Sequence, residues 1–224
     1  MSRIIVRDGT ILTPSGWVEG YLVVDGEQIA ELGAGAPPPA KEGDKIISAR
    51  HAAVLPGLVN GHTHLSQTFM RGLAGGRPLL QWLKERIWPI QKAMTPEQLY
   101  LAALLGVVEN LRCGATQVVN HHKVTYTPKH TDGVLVAAQQ VGLDFTLARS
   151  WVDRGTNAEP SEAILADLER LYARWHQPQS LIKVANGPLA TWRCSAETLQ
   201  TAHALSQRYN SFTHIHVSES QDEV

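Results

Sequence analysis

From residue 54 onward, short apolar segments alternate with longer segments of helical character, and this alternation constrains the fold most. Short apolar runs bounded by turn residues are typical of buried strands, whereas longer amphipathic stretches are typical of helices. The sequence predicts strands at 55–62, 115–120, 143–150, 180–187 and 211–220. It predicts helices at 78–94, 96–113, 132–142, 160–177 and 195–210. The alternation therefore predicts an α/β fold in which helices cover a parallel sheet.

The number of predicted strands limits how that sheet can close. A closed (β/α)₈ barrel needs three strands more than the five predicted here. Without them the sheet would keep an open apolar edge, where other chains can pair. We therefore expect these residues to be the front part of a longer polypeptide. An open five-stranded sheet is the alternative.

Residues 1–54 have a different pattern, with short strands separated by turn residues. Asp8-Gly9 and Asp25-Gly26 are dipeptides typical of hairpin turns. The segment "GAGAPPPAKEG" at 33–43 is too rich in proline and glycine for a helix. These features predict a small β-rich module ahead of the α/β region at 55–224.

Composition excludes several classes of protein. The 224 residues carry a formal net charge of −1, whereas a nucleic-acid binder normally presents a basic face. The longest strongly apolar stretch, at 99–108, is too short to span a bilayer. The sequence begins with charges where a signal peptide would be apolar, and its two cysteines form no CxxC pair. We expect a cytoplasmic protein with neither nucleic-acid nor membrane partners.

Two histidines, His62 and His64, follow the first predicted strand of the α/β region. Residues i and i+2 of an extended chain point to the same side, so both imidazoles can converge on one point. Functional groups of parallel α/β sheets collect at the carboxyl ends of the strands. Two neutral imidazoles placed there suit a divalent metal ion, although an isolated HxH motif is a weak signal.

A second group of polar residues, in "THIHVSES" at 213–220, strengthens the case for a metal. His216 lies at the end of the fifth predicted strand, and Glu219 follows three residues later. A metal ligand beside a carboxylate that moves protons is what hydrolytic chemistry requires. His214 is expected to fill the barrel interior or to lie at the surface.

"VLPGLVNGHTHL" and "HIHVSES" resemble the amidohydrolase superfamily, in its mononuclear deaminase and chlorohydrolase branch. The first 54 residues resemble the N-terminal β-sandwich of that superfamily. The resemblance covers essentially the whole sequence. It implies a (β/α)₈ TIM-type barrel, of which about five strands are present at 55–224, preceded by part of a small β-sandwich domain at 1–54.

The resemblance also implies a catalytic site. His62, His64 and His216 would bind one divalent metal ion, Zn²⁺ or Fe²⁺, and Glu219 would be the proton shuttle. The family pattern adds a histidine at strand six and an aspartate at strand eight, and both lie beyond this sequence. The residues shown are therefore not expected to catalyse alone. Relatives are commonly homodimers, so a homodimer is implied as well. Some relatives hold two metals bridged by a carboxylated lysine, but Lys183 is interpreted as structural.

Four further residues are predicted to contact a small heterocyclic substrate: Gln67, Arg149, His121 and His122. The carboxamide of Gln67 offers both a donor and an acceptor, and the guanidinium of Arg149 suits a ring carbonyl. Each has a simpler alternative: a solvated loop glutamine, a salt-bridged arginine, and histidines outside the pocket. Tryptophans are also candidates for pocket walls, although packing in the protein interior is their default role: Trp82, Trp88, Trp151 and Trp192.

The function predicted from the resemblance is hydrolytic deamination of an aminated N-heterocycle with release of ammonia. The HxHxxQ arrangement resembles guanine-type deaminases and favours a pterin or purine such as isoxanthopterin, guanine or 8-oxoguanine. The segment "NGPLATW" lacks a histidine that some nucleoside deaminases carry, which disfavours adenosine or S-adenosylhomocysteine. Three alternatives remain open: an s-triazine-type chlorohydrolase, an S-adenosylhomocysteine or adenosine deaminase, and a non-catalytic relative without metal.

Overall fold

The structure is a computed structural model that describes residues 3–73, 75–177 and 179–221. The chain divides into two units, Met1–Gly57 and Leu58–Val224. The strands and helices below are numbered in chain order through both units. Among the described residues, every helix is too short or too polar to traverse a bilayer.

The first unit is built on one five-stranded sheet in the order β3-β2-β1-β4, with β5 also paired to β1. Its strands are β1 Ile4–Thr13, β2 Gly16–Asp25, β3 Gln28–Ala34, β4 Lys45–Ser48 and β5 Ala53–Val54. Ile5, Tyr21 and Val23 form its small buried cluster. The predicted β-sandwich is not confirmed, because the described residues of this unit form a single sheet.

One of the two predicted hairpin turns is correct and the other is wrong. Asp25 and Gly26 connect β2 to β3, and Gly26 has the positive φ of 61° that such a turn requires. Asp8 and Gly9 instead lie inside β1, where the pairing with β2 shifts between Val6 and Gly9. Asp8 adopts a left-handed φ of 61° there, so the dipeptide forms a bulge and not a turn.

The second unit contains a parallel four-stranded sheet in the order β6-β7-β8-β9. Its strands are β6 Leu58–Thr63, β7 Ala115–His122, β8 Asp144–Trp151 and β9 Ile182–Pro188. Its α-helices are α1 Leu79–Trp82, α2 Trp88–Ala93, α3 Pro96–Arg112, α4 Pro128–Val141, α5 Ser161–Trp175 and α6 Ala196–Arg208. Strands in sequence order joined by helices agree with the front part of the predicted barrel.

The helix α3 begins at the predicted residue, Pro96, and ends at Arg112, one residue before the predicted end. The Thr95 hydroxyl accepts a hydrogen bond from the backbone N–H of Gln98, whose side chain accepts from the N–H of Thr95. This capping box satisfies two of the N–H groups that a helix start leaves unpaired. Gly106, within α3, allows close approach, because a Cβ there would lie 2.6 Å from Leu65 Cδ2. The helix therefore packs tightly behind the segment that follows His64.

The continuous helix predicted at 78–94 is interrupted in the structure. A π-helical turn, Leu83–Ile87, separates α1 from α2. Pro89, in the first turn of α2, lacks an N–H and cannot continue an α-helical hydrogen-bond ladder from the preceding turn. Each hydrogen bond of a π-helix spans one residue more than an α-helical one, and this longer span accommodates the missing donor.

The segment 211–220, predicted as the fifth strand, does not form a continuous strand. It makes two isolated β-bridges instead: Thr213 pairs with Asn186 in β9, and His216 pairs with Ala190 just after β9. The sequence offset is 27 at the first bridge and 26 at the second, so the register slips by one residue between them. A slipped register interrupts the ladder of hydrogen bonds that defines a strand. The segment still runs parallel to β9 and brings its histidines to the same end of the sheet.

Candidate metal centre

The carboxyl end of β6 presents His62 and His64. The backbone N–H of His62 donates to Asn60 Oδ1 at 3.2 Å, and the N–H of Leu65 donates to Asn120 Oδ1 at 2.9 Å. Asn120 is buried in β7, next to β6 in the sheet. These contacts fix the backbone on both sides of the HxH motif, so both imidazoles have a defined position above the sheet.

His216 reaches the same point from the segment after α6. Its backbone N–H donates to the carbonyl of Leu189 at 3.3 Å, just beyond β9. The ring of His216 lies 4.9 Å from the ring of His62 and 5.3 Å from the ring of His64, measured between centroids. One ligand atom from each of the three histidines lies within 4.8 Å of the others. The predicted ligands His62, His64 and His216 are therefore together.

Each of these rings uses its Nδ1 to fix its own orientation. Nδ1 of His64 contacts the carbonyl of His121 at 2.8 Å, and Nδ1 of His216 contacts the carbonyl of Leu189 at 2.7 Å. Nδ1 of His62 contacts Nε2 of His214 at 3.2 Å. A carbonyl can only accept, so Nδ1 carries the proton in His64 and His216. Nε2, with its lone pair, is the nitrogen left for a ligand.

The environment of the cluster favours neutral imidazoles. Burial lowers the pKa of His64 to about 4, although the carbonyl of His121 opposes the shift and the neighbouring histidines add to it. Desolvation and the nearby His216 also lower the pKa of His62. A metal ion needs the unprotonated nitrogen, so an imidazole that resists protonation is a better ligand.

His214 and His121 also belong to this group of rings. His214, which was expected to fill the barrel interior or to lie at the surface, is half-buried, and its ring contacts both His62 and His121, each at 3.2 Å between nitrogens. His121 is fully buried, and its ring centroid lies 4.5 Å from that of His216. His121 therefore lies among the candidate ligands.

Glu219 and Gln67 line a recess beside the candidate ligands His64 and His216. Glu219 is exposed and Gln67 is half-buried. Several residues that the sequence analysis did not single out also line this recess: Gln91, Lys123, Leu189 and Arg193. Pro89 was the available signal for Gln91, because it marks the first turn of α2, the helix that carries Gln91. The others follow strand ends in ordinary loop sequence.

Three of the four candidate tryptophans border the same recess: Trp82, Trp88 and Trp192. The flat indole side chains give the recess an aromatic wall suited to a planar ring. Trp151 is different, because it is fully buried within the hydrophobic core of the unit. Lys183 pairs with Asp144, its Nζ lying 3.0 Å from Oδ1, in agreement with a structural role.

Arg149 and His122 do not join the group of histidines. They are paired residues on neighbouring strands and lie on the face of the sheet opposite His121. Arg149 donates to Asp167 at 2.9 Å and to Glu159 at 2.7 Å, so its guanidinium is neutralised by two carboxylates. The salt-bridged alternative therefore describes Arg149 better than a contact with a substrate carbonyl. Burial lowers the pKa of His122 to about 4, and the Arg149 cation adds to the shift.

Comparison with curated proteins identifies relatives along the whole chain. A 5'-deoxyadenosine deaminase from Methanobrevibacter smithii is 32% identical over 225 residues, which cover 100% of this chain and 50% of that protein. A 5-methylthioadenosine/S-adenosylhomocysteine deaminase from Syntrophomonas wolfei is 33% identical over 228 residues, covering 99% of this chain and 50% of that protein. The chain thus spans about half the length of the curated relatives it matches.

A solved structure shares the fold. The crystal structure of an adenosine deaminase from Xanthomonas campestris with bound zinc superposes with a TM-score of 0.86 and 24% identity, over 100% of this chain and 51% of that chain. In the sequence itself, the profile of the amidohydrolase family matches residues 53–224, which include all the candidate ligands. The chain therefore belongs to the amidohydrolase family.

Proposed function

We propose that this chain forms the metal-binding part of a hydrolase that deaminates the adenine ring of an adenosine-type nucleoside and releases ammonia. The observation that carries the proposal is the convergence of three imidazoles, with ligand atoms within 4.8 Å of one another, at the carboxyl end of a parallel sheet. This edge of a barrel is where the active sites of such folds are built.

The donor set fits a catalytic metal ion. Catalytic zinc sites use three protein ligands and leave a position open, and imidazole nitrogen suits zinc and iron. His62, His64 and His216 would hold the ion through Nε2, because among the described residues their Nδ1 atoms have other partners. We propose Zn²⁺ as the ion, since the solved relative from Xanthomonas campestris binds zinc.

In the proposed reaction, a divalent ion held by the three histidines would lower the pKa of a water molecule to about 7. Glu219, in the recess beside His64 and His216, donates a proton to the ring nitrogen next to the carbon that bears the amino group. A bond forms from that carbon to the oxygen of water, and the bond to the exocyclic nitrogen breaks. The water supplies both protons: one replaces the proton that Glu219 gave to the ring nitrogen, and the second passes from the new hydroxyl group through Glu219 to the departing nitrogen, which leaves as ammonia.

Other residues of the recess would orient the substrate. The amide of Gln67 offers a donor and an acceptor to the polar edge of the ring. The indoles of Trp82 and Trp88 provide flat apolar surface on which a purine packs. Together these contacts would hold the reacting carbon in one orientation and exclude bulk water from the apolar side of the ring.

The names of the relatives favour the nucleoside alternative over the pterin or oxidised purine predicted from the sequence. Both relatives compared above are named for adenosine derivatives. The sequence-based preference depended on Gln67 and on a histidine missing near Leu189. Neither is decisive, because a carboxamide pairs with an adenine edge as well as with an amide edge. Leu189 itself lines the recess.

Ammonia release by the zinc-loaded full-length protein tests this function. We expect turnover of 5'-deoxyadenosine, 5-methylthioadenosine or S-adenosylhomocysteine, and little or none of isoxanthopterin, guanine, 8-oxoguanine or an s-triazine. His62→Ala should abolish both zinc retention and turnover, because two remaining imidazoles do not complete the ligand set. His203→Ala is the matched control, since His203 is exposed on α6 and should retain both properties. Turnover confined to pterins or guanine, or a wild-type protein that retains no metal, would contradict the proposal.

A further inference from the structure

The side chain of His214 lies between the candidate ligand His62 and the buried His121. Its Nε2 is 3.2 Å from Nδ1 of His62, and its Nδ1 is 3.2 Å from Nδ1 of His121. Nε2 of His121 lies 2.9 Å from Oγ of Ser150 in β8. Side chains from four neighbouring parts of the second unit therefore form one unbroken line of hydrogen-bonding contacts.

The candidate ligands are held in two different ways. His64 and His216 contact backbone carbonyls, which accept hydrogen bonds and never donate them. His62 contacts another imidazole, whose nitrogen can be either a donor or an acceptor. The tautomer of His62 therefore depends on which nitrogen of His214 carries its proton.

Neutral imidazoles have one N–H and one lone pair, and this fixes the direction of the whole line. If Nε2 of His62 presents its lone pair to a metal, Nδ1 of His62 carries the proton and donates to Nε2 of His214. His214 then carries its proton on Nδ1 and donates to Nδ1 of His121. His121 carries its proton on Nε2 and donates to the Ser150 hydroxyl oxygen, which accepts. Every contact then pairs one donor with one acceptor.

Burial at the far end of the line opposes a change in any single ring. His121 and Ser150 are both 0% exposed, so water cannot replace a lost partner. Moving the proton of one ring to its other nitrogen would place two N–H groups or two lone pairs 3.2 Å apart, and leaving buried polar atoms unpaired is costly. The other fully paired arrangement has the Ser150 hydroxyl donating and all three rings reversed, and it puts the proton of His62 on Nε2, where it would block a metal ion. A metal ion on His62 therefore selects the first arrangement, which His214 and His121 then stabilise.

We propose that His214 and His121 are positioning residues, which hold His62 in the tautomer whose Nε2 faces the metal ion. The inference rests on the proposed function, because it concerns the same metal-binding imidazoles. It assigns His62 a support that comes from side chains, whereas His64 and His216 are supported by the backbone. Partners of this kind behind a ligating histidine contribute about 10- to 100-fold to metal affinity.

Zinc affinity of the full-length protein, measured by competition with a chromophoric chelator, tests this role. We expect His214→Phe to weaken zinc binding about 10- to 100-fold, because the ring volume remains and both nitrogens are lost. We expect His214→Gln to retain most of the affinity, because its amide oxygen can accept from His62 and its amide nitrogen can donate to His121. His203→Phe, at an exposed position on α6, is the control and should bind zinc like the wild type.

The tautomers can be observed by ¹⁵N NMR of the histidine side chains in the zinc-loaded wild-type protein. We expect His214 to carry its proton on Nδ1, because its Nε2 accepts from His62, whereas a free neutral histidine favours Nε2–H. We expect His121 to carry its proton on Nε2. This measurement needs no variant, so it remains decisive if His214→Phe proves unstable.

The outcomes separate this inference from the proposed function. A wild-type protein that binds no zinc would contradict the proposed metal site itself. Zinc binding by the wild type together with unchanged affinity in His214→Phe, or with His214 found in the Nε2–H form in the zinc-loaded protein, would contradict the positioning role alone. Equal losses in His214→Phe and His214→Gln would mean that packing is responsible, and this result would also overturn the role.

Discussion

At the level of single residues, the HxH motif shows how far spacing predicts a site. His62 and His64 were predicted to converge because residues i and i+2 of an extended chain share a side, and their rings lie 4.8 Å apart. The same spacing relates His214 to His216. This spacing was the sequence signal that could have placed the ring of His214 beside the candidate ligands. Its partner His121 comes from another strand, and no local pattern predicts which rings meet across the sheet.

Glu219 gives a prediction for the proton transfer. Glu219→Gln keeps the size and polarity of the side chain but removes its capacity to carry a proton. We expect the full-length variant to retain zinc and to lose turnover by about 10²-fold or more, the scale of a general acid–base group. Zinc content and kcat measured on the same preparation check both parts.

Glu27→Gln provides the control, because Glu27 is exposed in the first unit and belongs to no candidate site. It should turn over at the wild-type rate. Normal turnover by Glu219→Gln would show that the shuttle is another residue.

At the level of strands and helices, the sequence predicts the existence of elements better than their interruptions. The helix α3 begins at Pro96, as predicted, and the capping box of Thr95 and Gln98 stabilises that start. The break at 83–87 was not predicted, although Pro89 was its visible cause. That break is relevant to the site, since Trp82, Trp88 and Gln91 on either side of it line the recess.

A further prediction concerns Arg149, whose ion pair with Asp167 links β8 to α5. Its guanidinium joins Asp167 on α5 and Glu159 in the preceding loop, and its side chain is 3% exposed. Removing one member of a buried ion pair leaves the partner charges uncompensated, at a cost of about 3–5 kcal/mol. We expect Arg149→Met to lower the free energy of unfolding by about 3 kcal/mol, the lower end of that range, because both carboxylates retain some access to water.

Urea denaturation followed by circular dichroism measures this effect. Arg174→Met is the matched control, because Arg174 pairs with Asp132 at the surface and its side chain is 61% exposed. Its loss should cost less than about 1 kcal/mol. An Arg149→Met protein of wild-type stability with a raised KM for the nucleoside would instead restore the substrate-binding interpretation.

At the level of the whole molecule, alternating strands and helices predicted a parallel sheet, and the structure has one in the order β6-β7-β8-β9. The strands β7, β8 and β9 are largely buried, which agrees with their apolar sequences, whereas β6 is mostly exposed. The segment 211–220 has β-strand character in sequence, but a one-residue slip against β9 breaks its ladder. Register depends on contacts with residues distant in sequence, which is why the pattern of one segment cannot predict it.

Burial of histidine also makes the stability of the second unit depend on pH. His122 is fully buried, and this burial lowers its pKa to about 4; the backbone at Val124 and the carboxylate of Asp167 oppose the shift, and the Arg149 cation adds to it. In the unfolded chain the pKa returns to about 6.5. Between these values the unfolded chain binds a proton that the folded protein does not bind. The contribution of His122 to stability is therefore complete above pH 6.5 and is lost as the pH falls towards 4.

We expect this single histidine to lower the free energy of unfolding by about 2 kcal/mol when the pH falls from 7.5 to 5. Urea denaturation of the metal-free protein at the two pH values measures the change. His122→Phe has a buried ring that does not titrate, so the pH dependence of that variant should be smaller by about the same amount. An identical pH dependence in the wild type and His122→Phe would show that folding does not lower the pKa of His122, and it would contradict this prediction.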